Sequence, residues 1–474
     1  MNTSPVGAAG TGVNKQPLPR VGRTVRYFLA ALVVAAPLSL AVASPGAQAQ
    51  DGTCQGRPAT IVGPTEGAIN TNGTTGDDVI VAPIGPYGTV QGLGGDDLIC
   101  LVNGLQTTVP DPSVTVQAGA GDDSVVNEAA LYSGILLVEL GGGTDHYVGA
   151  DYGERVYGAW VSDEPTLDTE PDVLETRGGN DWITSGSAGV TDADVIATGP
   201  GRDSVTYLGA AGGSLDNGPD PDILLLTDKW EGDLAVDNVT RRATIADRTV
   251  LTWTAVDTFS MRAARRGTIS FVGSEAHESI NIVNMGKDLA APSRITTGGG
   301  DDSVGLQAYL PASVDLGAGD DSLSLAACHR AYVALDASAE CLTTDGREIS
   351  TALAGIESFL GSSLDGLTVH GTERADRVTI SARYVLVRSG PGSDRVFAHG
   401  DRTAQVVGGR GADQLSAIGP QGGGVTLKGG WGGDVLRGSA GPDRLLGGPG
   451  RDTAYGKQGR DLCVAEVRNS CKLP

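Results

Sequence analysis

The sequence predicts an all-β fold, a parallel solenoid of short stacked coils, and three observations carry that prediction. From Gly429 to Cys463 the chain reads GGWGGDVLRGSAGPDRLLGGPGRDTAYGKQGRDLC, so that Asp434, Asp443, Asp452 and Asp461 recur every nine residues. Weaker copies run upstream, many at intervals of eighteen to twenty-two residues, about twice the nonapeptide. An apolar or small residue stands two positions after each of these aspartates, and only 4% of the chain is aromatic. A fixed period of this kind marks a stacked-repeat architecture, in which each coil is too small to bury its own apolar face.

In chain order, residues 1–49 read as a signal peptide. Lys15, Arg20, Arg23 and Arg26 precede an apolar run from Phe28 to Ala43, and Ala47-Gln48-Ala49 supplies small residues before a cleavage point at Gln50. The run is short and broken by Pro37, which disfavours a permanent span. Secretion is expected, with no transmembrane segment after signal removal. Residues 50–72 form an expected N-terminal cap segment.

The 474-residue chain carries a formal charge of -23, although its first 49 residues hold four basic side chains and no acid. Such a surface repels nucleic acid and anionic membranes and attracts cations. A content of 40% hydrophobic residues excludes a disordered acidic tail.

Residues 73–365 hold the degenerate repeats. GTTGDDVI brings Asp77 and Asp78; GLGGDDLI brings Gly92, Gly94, Asp96 and Asp97; AGAGDDSV brings Gly119, Gly121, Asp122 and Asp123. Further along, TGGGDDSV brings Gly298, Gly300, Asp301 and Asp302, and LGAGDDSL brings Gly317, Gly319, Asp320 and Asp321. Looser copies place aspartates at 145, 181 and 203. Residues 366–462 form a regular carboxy-terminal array, with aspartates at 376 and 394, Asp413, then Gly429, Gly432, Asp434, Asp443, Gly447, Gly450, Asp452 and Asp461. Residues 463–474 close the chain as a cap.

Six cysteines, all beyond residue 49, suit an oxidising compartment. Fifteen pairings are possible. Sequence proximity favours Cys328 with Cys341 and Cys463 with Cys471, leaving Cys54 with Cys100. No pair has the short spacing of a zinc knuckle.

The unit Gly-Gly-x-Gly-x-Asp-x-apolar-x resembles the RTX, or haemolysin-type, calcium-binding nonapeptide, and GGPGRDTAY at Gly447–Tyr455 departs from it only in the small Ala454. The closing GRDLCVAEVRNSCKLP is similar to the ends of many secreted actinobacterial calcium-binding proteins of this group. The resemblance implies a right-handed β-roll or β-helix that holds several Ca2+ ions in its Gly-Asp loops. Two stretches, from Leu234 to Met261 and from Val333 to Leu360, resemble the longer coils of such proteins, so 206–295 is expected to belong to the solenoid.

In an extended strand the residue two after each aspartate points inward, which predicts an aliphatic row of Ile80, Ile99, Val125, Val304, Leu323, Val396, Leu415, Leu436 and Leu445. Glycines in the turns leave carbonyl oxygens free, and calcium needs several oxygens that one carboxylate cannot supply. Half-coil geometry places Asp434 with Asp452 on one edge and Asp443 with Asp461 on the other. Upstream, one acidic loop per coil predicts a single ion-bearing edge. Arg374, Arg377, Arg395, Arg410, Arg444, Arg451 and Arg460 flank the later aspartates and could replace an ion, so the Gly-Asp-Asp pairs rank first as ligands and Asp434 and Asp452 next.

Chemistry beyond binding has little support. Five histidines (146, 277, 329, 370 and 399) are scattered, and neither His-Glu-x-x-His nor Gly-x-Ser-x-Gly occurs. No catalytic residue and no organic cofactor are expected. The enzymatic alternative is a β-helix polysaccharide lyase or epimerase using Arg262, Arg265 and Arg266. A further alternative is an extracellular adhesin that meets a carbohydrate or protein.

Overall fold

The computed structural model describes residues 52–471, apart from 66–68, 86, 105–112, 130–133, 160–167, 188–189, 211, 228–231, 264–266, 285–292, 308–309 and 421–422. The expected signal peptide, Arg265 and Arg266 lie outside the described residues. The chain is a parallel β-solenoid of about 17 turns with no helix among the described residues.

Short strands form because each acid-x-apolar unit sends one side chain inward and its neighbours outward. Along most of the chain each strand pairs in parallel with the strand after next, which produces two columns. In the first, Val79–Ile84, Leu98–Asn103, Ser124–Asn127, His146–Val148, Val173–Glu175 and Val195–Ala197 stack in register. Their inner row is Ile80, Ile99, Val125, Tyr147, Leu174 and Ile196, all buried. In the second column the inner row runs Val156, Ile183, Val205, Leu224, Phe259, Ile280, Val304 and Leu323. It continues through Phe359, Val378, Val396, Leu415, Leu436 and Ala454. The expected aliphatic residues are all buried, but they divide between columns instead of forming one row. Burying each such side chain contributes roughly 1.5–3 kcal/mol, so stacking supplies the core that a single coil lacks.

The long strand Arg395–Arg410 feeds both columns, its first half pairing with Gln414–Ile418 and its second with Thr426–Trp431. Beyond it Val435–Arg437, Thr453–Tyr455 and Val467–Asn469 form one column, and Thr426–Trp431, Arg444–Leu446 and Leu462–Val464 the other. A nonapeptide is therefore half a coil, and two make a turn.

Two insertions interrupt the parallel pattern. Leu234–Asp237 and Arg242–Ile245 pair antiparallel, as do Arg242–Ile245 and Arg248–Trp253. Ser338–Leu342 pairs antiparallel with both Ser322–Ala334 and Glu348–Ala354. The column passes through both, since Thr258–Ala263 pairs with Ile223–Leu226 and Ser279–Asn284, so the described residues of 206–295 belong to the solenoid. The first insertion brings Trp253, Phe259 and Phe271 into edge-to-face contact, with centroids 5.6 and 5.1 Å apart. Aromatic rings fill the core where the coil is longer.

Disulfides join Cys54 to Cys100, Cys328 to Cys341 and Cys463 to Cys471. These are the pairings that proximity favours.

Candidate functional site

Each repeat acid is the residue just before an inner strand, and its carboxylate turns into the stack. The backbone N–H of one acid donates to the side chain of the acid one coil further on. Asp78 donates to Asp97, Asp97 to Asp123 and Asp123 to Asp145, each at 2.8 Å; Asp145 donates to Asp172 at 2.9 Å and Asp172 to Asp194 at 3.0 Å. A second ladder runs Glu154, Asp181, Asp203, Asp222 on the other column. A third runs Glu278, Asp302, Asp321, Glu357, and a fourth Asp376, Asp394, Asp413, Asp434, Asp452, Glu466. Asp443 donates to Asp461 at 3.0 Å on the opposite edge.

The expected single edge upstream is corrected by this arrangement. Acids line one edge from Asp78 to Asp194 and the other from Glu154 onward, and the two overlap in the intervening coils. The reason is local: an acid can precede either inner strand of a coil. Sequence reasoning missed Glu154, Asp172, Asp194, Asp222, Glu278, Glu357 and Glu466, because none ends a Gly-rich loop of the common pattern. Six of them nevertheless keep the apolar residue two positions later: Val156, Leu174, Ile196, Leu224, Ile280 and Phe359.

The two aspartates of each Gly-Asp-Asp have different surroundings. Asp78, Asp97, Asp123, Asp302 and Asp321 are buried, whereas Asp77, Asp96, Asp122, Asp301 and Asp320 are exposed. The exposed ones form an outer ladder in the opposite sense, with Asp77 accepting from Asp96 N–H, Asp96 from Asp122 N–H and Asp301 from Asp320 N–H, each at 2.9 Å. Two of the seven flanking arginines pair with repeat acids, as expected, but not with the buried aspartates beside them. Arg374 pairs with Glu357 at 2.6 Å and Arg377 with Asp320 at 2.5 Å, while Arg395, Arg410, Arg444, Arg451 and Arg460 are exposed and make no ion pair among the described residues. Arg377 thus reaches a Gly-Asp-Asp copy that has no arginine nearby in sequence.

The second carboxylate oxygen decides what the site can hold. Oδ2 of Asp97, Asp123, Asp145, Asp172, Asp181, Asp203, Asp222, Asp302, Asp321, Asp394, Asp413, Asp434, Asp452 and Asp461 is buried with no hydrogen-bond partner. Burial, with the neighbouring ladder carboxylates adding repulsion, raises Asp97 to about 6, Asp123 to about 7 and Asp145 to about 8. Glycines keep these oxygens uncovered. A Cβ on Gly429 would overlap Oδ2 of Asp434 and stand 2.7 Å from the Gly447 carbonyl, and one on Gly447 or Gly92 would overlap Oδ2 of Asp452 or Asp97. Gly119, Gly121, Gly298, Gly300, Gly317, Gly432 and Gly450 have φ between 81° and 154°, and Gly94 and Gly319 sit in the same turns.

Calcium takes roughly six to eight oxygens at about 2.3–2.6 Å. Among the described residues no three His, Cys, Asp or Glu side chains converge as a metal site. Buried, unpartnered carboxylate oxygens beside open glycine carbonyls do fit the ion, with loop carbonyls supplying most of the donors. Bound there, calcium would supply positive charge between like-charged ladder members. No histidine joins a buried ladder: the His277 ring meets the Asp301 carbonyl, and His370 contacts Tyr332 and Arg388.

No curated protein sequence matches the chain. Residues 428–463 match the family model of the RTX calcium-binding nonapeptide repeat in four copies, over the half-coil array bearing Asp434, Asp443, Asp452 and Asp461. The carboxy-terminal end of this solenoid is therefore similar, over those residues, to the RTX calcium-binding nonapeptide repeat.

Proposed function

We propose that the protein is exported and that Ca2+ ions held between successive loops complete the stacking of its solenoid, in a structural or binding role instead of catalysis. The observation that supports this reading is the run of buried, unpartnered second oxygens, coil upon coil. An ionised carboxylate buried without a partner is expensive, and a divalent cation shared between loops offsets both the desolvation and the repulsion. Calcium is plentiful outside cells and scarce within, so the chain would stay loose during export and order afterward. An extracellular carbohydrate or protein would then meet a preformed surface.

Equilibrium dialysis of residues 50–474 against calcium, with magnesium as the competing ion, tests the reading. Several calcium ions per chain that magnesium does not displace are expected. A protein that keeps its β signal and binds none would overturn it. Export is tested separately by the amino terminus of the protein recovered outside the cell, expected at Gln50.

A further inference from the structure

Four acids, Asp78, Glu278, Asp376 and Asp443, share a local arrangement that the other ladder acids lack. Each is preceded by Gly-(Ser/Thr)-x-x-x: Gly73-Thr74, Gly273-Ser274, Gly371-Thr372 and Gly438-Ser439. In every case the N–H and the hydroxyl of the residue four before the acid donate to its carboxylate. Thr372 donates from N to Oδ2 of Asp376 at 2.6 Å and from Oγ1 to Oδ1 at 2.9 Å. Ser439 donates from N to Oδ2 of Asp443 at 2.7 Å and from Oγ to Oδ1 at 2.8 Å. Thr74 donates from both N and Oγ1 to Oδ2 of Asp78, at 2.7 and 2.9 Å, and Ser274 from N at 2.8 Å and from its hydroxyl to Oε1 of Glu278. Each hydroxyl also accepts from the N–H two residues later, at 3.2 Å from Gly76, 3.1 Å from Ala276, 2.9 Å from Arg374 and 3.2 Å from Gly441. No oxygen of Asp78, Asp376 or Asp443 is left without a partner, although these aspartates are buried; Glu278, one methylene longer, takes both bonds on Oε1 and leaves Oε2 buried and unpartnered.

The aspartate loops with an orphaned oxygen, that of Asp172 excepted, look different at the same position. Four before Asp97, Asp302, Asp434, Asp452 and Asp461 stand Leu93 (φ 79°), Gly298 (100°), Gly430 (120°), Gly448 (116°) and Lys457 (68°). A left-handed backbone there, whatever the side chain, goes with an unpartnered Oδ2. The four Ser/Thr loops also share a place: each carries the first acid of its ladder. These acids receive no hydrogen bond from an upstream acid's N–H, although Asp257 and Glu357 stand one coil earlier in register with Glu278 and Asp376. The hydroxyl adds a donor, beside Thr60 Oγ1 at Asp78 and Val425 N–H at Asp443, much as Ser or Thr caps the first turn of a helix.

We propose that the residue four positions before a ladder aspartate sets whether its loop takes an ion. Ser or Thr closes the loop on its own carboxylate and makes an ion-free cap that begins a ladder, and a left-handed residue leaves the carboxylate open to calcium. The inference rests on the calcium reading above and adds which loops are filled.

Ser439→Gly tests it directly, because it turns Gly438-Ser439-Ala440-Gly441-Pro442-Asp443 into Gly-Gly-x-Gly-x-Asp. In the full mature chain, the calcium count from equilibrium dialysis should rise by one and the thermal midpoint in chelator should fall. The reverse change, Gly448→Ser, builds Gly-Ser-x-x-x-Asp at Asp452 and should lower the count by one. Circular dichroism in excess calcium verifies the fold of each variant, and if S439G does not fold, G448S decides alone. Wild type that binds calcium, with folded variants of unchanged count, overturns this assignment and leaves the calcium reading standing; wild type that binds none overturns both.

Discussion

A carboxylate that accepts a hydrogen bond on one oxygen from the backbone of the preceding coil and buries the other without a partner is unfavourable by itself, and fourteen aspartates share that condition. Its reversal gives a test at a single residue. Asp123→Asn keeps the acceptor for Asp97 N–H but removes the charge, so the calcium-free protein should melt at a higher temperature while one ion is lost from the calcium-loaded form. Gly429→Ala should act oppositely to a harmless surface change: its Cβ overlaps Oδ2 of Asp434, and both the midpoint in calcium and the ion count should fall. Leu436 is fully buried in the second column, and Leu436→Ala should cost about 2–5 kcal/mol by calcium-loaded thermal unfolding. Acid-x-apolar was legible in the sequence wherever glycines preceded it. Glu154, Asp172 and Glu278 escaped notice because hydrogen bonding within the ladder, not the composition of the turn, defines them.

Among the elements, the nonapeptide array was the most legible part, since equal spacing leaves little choice but half a coil per repeat. The two antiparallel insertions could be recognised as longer coils, but not the aromatic packing of Trp253, Phe259 and Phe271 that fills the first. The division of acids between both edges was also hidden, because a spacing near one full coil does not say which of two strands follows. The last coil depends on a covalent closure. Cys463 and Cys471, eight residues apart, tie Leu462–Val464 to the terminal strand Val467–Asn469. Replacing both cysteines by alanine should destabilise that coil by about 2–3 kcal/mol on loop entropy. Hydrogen exchange would detect it as faster exchange in these two strands, with the strands around Val125 unchanged.

For the whole molecule, the ladders make stability depend on pH in a direction opposite to ordinary surface carboxylates. Burial raises Asp97, Asp123 and Asp145 to about 6, 7 and 8, above the unfolded value of 3.8. A raised folded value means that the stabilising contribution is complete below about pH 4 and is lost as pH climbs through 6 to 8. In chelator the thermal midpoint should therefore be higher near pH 5 than near pH 8, and calcium at pH 8 should restore it. The central claim, that calcium completes the stack, is tested most directly by titrating calcium into the chelator-treated protein at neutral pH while calorimetry and far-ultraviolet circular dichroism are followed together. The account predicts several bound ions and a gain of β signal in step with binding. Full β signal before any calcium is added, with no heat of binding, would contradict it.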